Sequence, residues 1–123
     1  MKHLLMGVAA AAVITILAAC SDTNSENLNR GRQIYNSGGT SAVPCATCHT
    51  LDGSELVGPS FQGLKDRAGS AVDGMSAEDY IRQSIVDPSA HIVPDYPDSM
   101  YKGYGDVLSD EDIDGLIAYL MSQ

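Results

Sequence analysis

The stretch Cys45-Ala46-Thr47-Cys48-His49 constrains this chain more than any other. Two cysteines three positions apart, with a histidine directly after the second, form the pattern of a c-type haem attachment site. On a helical turn, residues i and i+3 share one side, so both thiols can face the same flat partner. There each sulfur can form a thioether with one vinyl group of the haem. His49 then sits beneath the ring and can offer an imidazole nitrogen to the iron. Two other chemistries use paired cysteines. A redox dithiol is expected beside a βαβ pattern, which the sequence does not show. Half of a zinc site needs a second ligand pair, and three cysteines and three histidines do not supply one. One covalent haem c is therefore the expected cofactor.

With 123 residues there is room for one modest core and a single domain. Assigning Cys45 and Cys48 to the haem leaves Cys20 alone, so no disulfide framework is expected. A covalently held porphyrin is a large apolar body that doubles as core. The absence of Trp and the single Phe fit a core partly replaced in this way.

The N-terminus reads as a targeting segment. Met1-Lys2-His3 makes a positive start, and Leu4 to Ala19 carries no charge over sixteen residues. That run is short of the roughly 20 residues that span a bilayer. It ends in Leu17-Ala18-Ala19-Cys20, which resembles the lipobox of bacterial lipoproteins. The resemblance implies cleavage before Cys20 and a diacylglycerol thioether on its sulfur, with two acyl chains for stable anchoring. An ordinary signal peptide and an uncleaved anchor helix are the alternatives. The expected organisation is a leader over 1–19, a lipidated Cys20 with a polar tether to Asn27, and a haem domain over 28–123. This places the domain on the extracytoplasmic face of a bacterial membrane.

Without residues 1–19 the chain keeps six Lys and Arg against sixteen Asp and Glu, a formal net charge of −10. Nucleic acid is an unsuitable partner for such a surface. An anionic bilayer would repel it too, which leaves anchoring to the lipid. The charge serves solubility, or steers the domain towards a positively charged redox partner.

A first helix is predicted from about Leu28 to Asn36, with Leu28, Gly31 and Tyr35 on one face. A glycine inside a helix costs up to about 1 kcal/mol, so Gly31 implies a close helix crossing. Ser37 to Ser41 breaks the helix and leads into the haem motif. From Leu51 to Phe61 the sequence reads as loop. Within it Gly58-Pro59 is either a plain turn or a rigid segment whose carbonyl holds the second nitrogen of the axial imidazole. Phe61 and Leu64 read as pocket or core residues. A short helical turn at Lys65 to Arg67 is expected before a flexible stretch from Gly69 to Gly74. Ser76 then caps a helix whose stripe is Ala77, Tyr80, Ile81, Ser84 and Ile85, ended by Asp87-Pro88.

Between Pro88 and Tyr104 lies an extended stretch punctuated by Pro88, Pro94 and Pro97, which carries Met100. A thioether is a soft ligand that suits haem iron and raises its potential. His91 is the rival and would make a bis-histidine centre. Met75, beside a helix cap, and Met121, on a helix stripe, are weaker candidates. Tyr96, Tyr101 and Tyr104 crowd the same stretch. Ser109 opens the last helix, whose stripe of Ile113, Leu116, Ile117, Leu120 and Met121 should bury against Gly31 and Tyr35.

Taken together, the chain resembles a class I mono-haem cytochrome c over residues 28–123. The carrying features are Gly31 and Tyr35, CATCH, Gly58-Pro59, a loop methionine, and Ala118-Tyr119-Leu120 in a final helix. The resemblance implies an all-α fold in which three main helices wrap one covalent haem and the terminal pair cross. It implies axial ligation by His49 and Met100, with the Pro59 carbonyl orienting the histidine. The segment Val93 to Leu120 is also similar to haem domains of some cytochrome oxidase subunits. It resembles small lipoprotein cytochromes too, including the mono-haem subunit of alternative complex III. The family commonly has proline after the ligand methionine, where this chain has Tyr101.

The function so implied is one-electron transfer in a bacterial respiratory or photosynthetic chain, not enzymatic turnover. The partners would be redox proteins or subunits of a membrane respiratory complex. The alternatives are a fixed haem subunit of a quinol-oxidising complex and, further off, a haem enzyme or gas sensor.

Overall fold

A computed structural model describes residues 9–40 and 43–123, with side chains described from residue 22 onward. The expected lipidation site, the sulfur of Cys20, lies outside the described side chains. Every regular element among the described residues is helical.

Helix α1 spans Ala9–Ser37. It starts well before the predicted Leu28, and residues 22–27, read from the sequence as a tether, continue it as a largely exposed extension. The reason is local: no Gly or Pro occurs between Val8 and Arg30, and a helix once nucleated propagates by one bond per residue. It stops at two glycines, Gly38 and Gly39, with φ of 72° and 69°. Gly38 N–H donates to the Ile34 carbonyl at 2.7 Å, the left-handed cap such residues favour.

A 3-10 turn at Cys45–Thr47 follows, then α2 over Leu64–Ala68. The predicted flexible stretch 69–74 is instead a chain of tight turns, with Ala71 N–H bonded to the Ala68 carbonyl and Met75 N–H to that of Val72. Ala71 and Val72 pack against the core, which gives the stretch a buried side.

Helix α3 covers Ala77–Val86. Its cap is the one foreseen: the Ser76 hydroxyl accepts from Asp79 N–H at 3.1 Å. Tyr80, Ile81 and Ile85 are buried, and Pro88 follows the end of the helix. Helix α4, a single turn at Tyr104–Val107, was not anticipated, because four residues show no periodicity. Helix α5 spans Asp110–Leu120. Ser109 Oγ accepts from Asp112 N–H, and the Asp112 carboxylate accepts from Ser109 N–H, both at 3.2 Å. This reciprocal cap satisfies two donors at the helix start.

Helices α1 and α5 cross at two glycines. A Cβ on Gly31 would lie 2.6 Å from the Gly115 carbonyl carbon and 2.6 Å from Tyr119 Cβ. The backbones therefore touch, which explains the glycine inside α1. Around the crossing, Ile34 and Tyr35 bury against Ile113, Leu116, Ile117 and Leu120. Each such side chain contributes about 1.5–3 kcal/mol when fully buried. Met121 caps α5 and is half-buried beside this stripe.

Candidate haem site

The 3-10 turn begins after Pro44 and closes with Cys48 N–H to the Cys45 carbonyl at 3.1 Å and His49 N–H to the same carbonyl at 3.0 Å. This tight turn brings Cys45, Cys48 and His49 to one wall of a cavity of about 640 Å³. That volume falls within the range of cofactor sites. Apolar side chains from three helices line it, among them Leu64, Ile81, Ile85, Leu116 and Leu120. The core of the fold is thus also the wall of the site.

Two backbone bonds fold the loop after the motif back on itself. Gly58 N–H donates to the Cys48 carbonyl at 2.9 Å, and Phe61 N–H donates to the Thr50 carbonyl at 2.8 Å. Pro59, between them, presents its carbonyl oxygen 2.8 Å from His49 Nδ1. A carbonyl only accepts, so Nδ1 carries the proton and Nε2 keeps its lone pair. Burial pulls the imidazole pKa down, while the Pro59 bond works in the opposite direction. The net result is a neutral, oriented imidazole, the form that ligates a metal.

Three further residues hold this histidine. The Phe61 ring stacks on the imidazole, with centroids 4.3 Å apart and planes 15° from parallel. The Tyr35 hydroxyl donates to the His49 carbonyl at 2.8 Å. Gly58 packs so tightly that a Cβ there would lie 2.8 Å from His49 Nδ1. Neither the Tyr35 hydroxyl bond nor the Gly58 contact was read from the sequence. The available signals were a tyrosine one helical face from Gly31 and a glycine directly before Pro59.

The Cys45 thiol differs from the attacking thiol of a redox dithiol. Burial pushes Cys45 up to about 11, whereas dithiol oxidoreductases need a thiolate near neutral pH. Among the described residues, no group of three or more His, Cys, Asp and Glu could hold a metal ion.

Met100 and His91 both line the cavity, as do Tyr96, Tyr101 and Tyr104. Met75 and Met121 do not; they pack against the core elsewhere. Tyr104 is buried, and its hydroxyl donates to the Val43 carbonyl at 2.6 Å, tying α4 to the chain just ahead of the cysteines. Burial raises its pKa, so it remains a neutral donor. Tyr101 meets Tyr104 edge-on at 5.0 Å and is 39% exposed at the cavity rim. The turn at Val93–Tyr96 closes with a 3.2 Å backbone bond, with Pro94 and a left-handed Asp95 (φ 71°) at its centre.

A cavity with apolar walls, two thiols on one turn and an oriented imidazole defines a protein that binds a flat, covalently attached cofactor. The cytochrome c family model matches residues 28–123, and the chain belongs to that family. Its cofactor is accordingly one covalently bound haem c, and its role is electron transfer. No curated protein matches the chain. The residues present fit the group, since the walls are apolar and His49 Nε2 is left as a donor.

Proposed function

We propose that this chain is a membrane-anchored one-electron carrier of a bacterial respiratory or photosynthetic chain, working on the extracytoplasmic face. Cys45 and Cys48 would hold the haem through thioethers, and His49 and Met100 would take the two axial positions. Bound there, the haem supplies one-electron cycling between ferric and ferrous iron. The observation that carries this reading is that His49 and Met100 line one cavity, with Pro59 fixing the histidine tautomer.

The chain's own groups divide the work. Pro59, Phe61 and Gly58 orient the imidazole. Apolar walls keep water out and disfavour added charge, which favours the ferrous form. With His49 and Met100 both holding the iron, no position would be left for a substrate.

Anchoring is assigned to a diacylglycerol group on Cys20. No helix among the described residues is long and apolar enough to cross a membrane. The formal net charge of −10 for residues 20–123 supports a partner with a positive docking face, reached by steering.

Three measurements test the proposal. Met100→Ala should alter the absorption spectrum and lower the reduction potential; an unchanged protein overturns methionine ligation. Cys20→Ser should move the protein from the membrane to the soluble fraction; retention overturns lipid anchoring. Purification from native membranes should give the free protein. A stoichiometric partner complex would instead make the haem a fixed relay in a quinol-oxidising assembly.

A further inference from the structure

We propose that His91 is a reserve axial ligand: when the Met100 thioether is lost from the iron, the His91 imidazole takes its place. The inference rests on the haem reading above, with Met100 as the resident ligand.

Among the described residues, the cavity is lined by two side chains beyond the CATCH motif that can ligate haem iron through a thioether or an imidazole, Met100 and His91. Both ride on the segment 87–103 between α3 and α4, which has no regular secondary structure. A segment without a helical ladder can shift to present either group. His91 is half-buried, and no hydrogen bond to either ring nitrogen occurs among the described residues. The imidazole is placed by an edge-on contact with Tyr80, centroids 5.6 Å apart. No protein group among the described residues claims either nitrogen of this cavity-lining ring, so the imidazole can be offered to a bound metal without breaking a hydrogen bond.

The loop that bears His91 is also closed by contacts that do not involve the Met100 side chain. Lys102 Nζ donates to both oxygens of Asp98 at 2.8 Å, and Ser89 Oγ donates to the same carboxylate at 3.0 Å. This clasp joins residue 89 to residues 98 and 102. It closes the loop that bears His91 without using the methionine.

The exchange breaks an iron–sulfur bond and forms an iron–nitrogen bond. No electron moves; a proton on the ligating nitrogen passes to water, and the other nitrogen keeps its own. The centre stays six-coordinate and closed to small ligands, while its potential falls, because imidazole replaces a ligand that raises it.

The test uses the haem-loaded, full-length protein and its Met100→Ala, Met100→Leu and Met100→Ala/His91→Ala variants. Covalent haem content and helical circular dichroism confirm that each is folded, and Met100→Leu keeps the apolar volume should alanine disturb packing. Both single variants should stay low-spin, show a lowered potential and fail to bind carbon monoxide when reduced. The double variant should be high-spin and bind it. If the single variants bind carbon monoxide as readily as the double variant, the reserve role is wrong. If His91→Ala, prepared alongside them with Met100 intact, opens the iron by itself, His91 is the resident ligand. That outcome overturns both the reserve role and the Met100 assignment, whereas the former leaves the Met100 assignment standing.

Discussion

Gly31 of α1 and Gly115 of α5 meet backbone to backbone, leaving no room for a methyl group between the two helices. This contact sets how near the terminal helices approach, and with it the position of Leu116 and Leu120 on the cavity wall. In an exposed helix, glycine to alanine stabilises by about 1 kcal/mol. Here Gly31→Ala should destabilise by about 2 kcal/mol, the scale of overpacking, because the methyl would meet backbone that cannot yield. Chemical denaturation of the holoprotein reads the sign directly, and a stabilised variant would refute the crossing.

Tyr35→Phe keeps the ring between Phe61 and Tyr119 but removes the donor to the His49 carbonyl. The expected loss is about 1 kcal/mol in folding stability, the usual net worth of such a bond. Equilibrium denaturation with an unchanged denaturant slope is the appropriate check.

Gly58→Ala should act on the site more than on the fold. Its methyl would press on the imidazole ring and displace His49 from the Pro59 carbonyl. A shifted reduction potential and an altered ferric spectrum, with helical content retained, are the expected signature. A potential equal to that of the wild type would show that the ring has room to spare.

The two serine caps can be compared within one molecule. Ser76→Ala and Ser109→Ala each remove the acceptor of a first-turn N–H, a loss typically worth about 1 kcal/mol. Ser76→Ala also removes the hydroxyl that donates to the Asp79 carboxylate at 2.8 Å, whereas in Ser109→Ala the residue 109 N–H can still donate to Asp112, so the Ser76→Ala midpoint should fall further. Equal midpoints would argue that the Ser76–Asp79 side-chain bond adds nothing.

Asp112 gives the acid limb of stability a defined sign. Partial burial raises its pKa, but hydrogen bonds from Arg30 and Ser109 outweigh this and hold it below its ordinary 3.8. A carboxylate with a depressed pKa stabilises the fold fully above the unfolded value and loses that contribution as pH falls through the folded one. Asp112→Asn should therefore be less stable than wild type at neutral pH, with the gap closing below about pH 3.8. Thermal midpoints across pH 2–7 read this, and a gap independent of pH would contradict it. Asp98, held down by Lys102 and Ser89, acts with the same sign.

The attachment motif, both serine caps and the stripes of α3 and α5 were legible because they depend on residues within one or two turns. Capping needs a hydroxyl and a nearby N–H; amphipathicity needs a period. The long N-terminal reach of α1 was missed because polar residues at 22–27 read as tether, although nothing there breaks a helix. Helix α4 was missed because one turn leaves no pattern, yet it delivers the Tyr104 hydroxyl to Val43 across 61 positions of chain.

By itself, then, the sequence determined an all-α chain with paired thiols and a histidine on one turn, and it marked Gly31 and Gly58-Pro59 as positions needing a reason. Only the tertiary structure decided what those reasons are: a backbone contact with Gly115, a ring pressed against Gly58, and the Pro59 carbonyl aimed at Nδ1. It also puts Met100 and His91 on the cavity wall, and Met75 and Met121, the weaker candidates by sequence, against the core away from it. Caps and periods are written in neighbouring residues, whereas the walls of a cavity are chosen by helices distant in the chain meeting at a fixed separation.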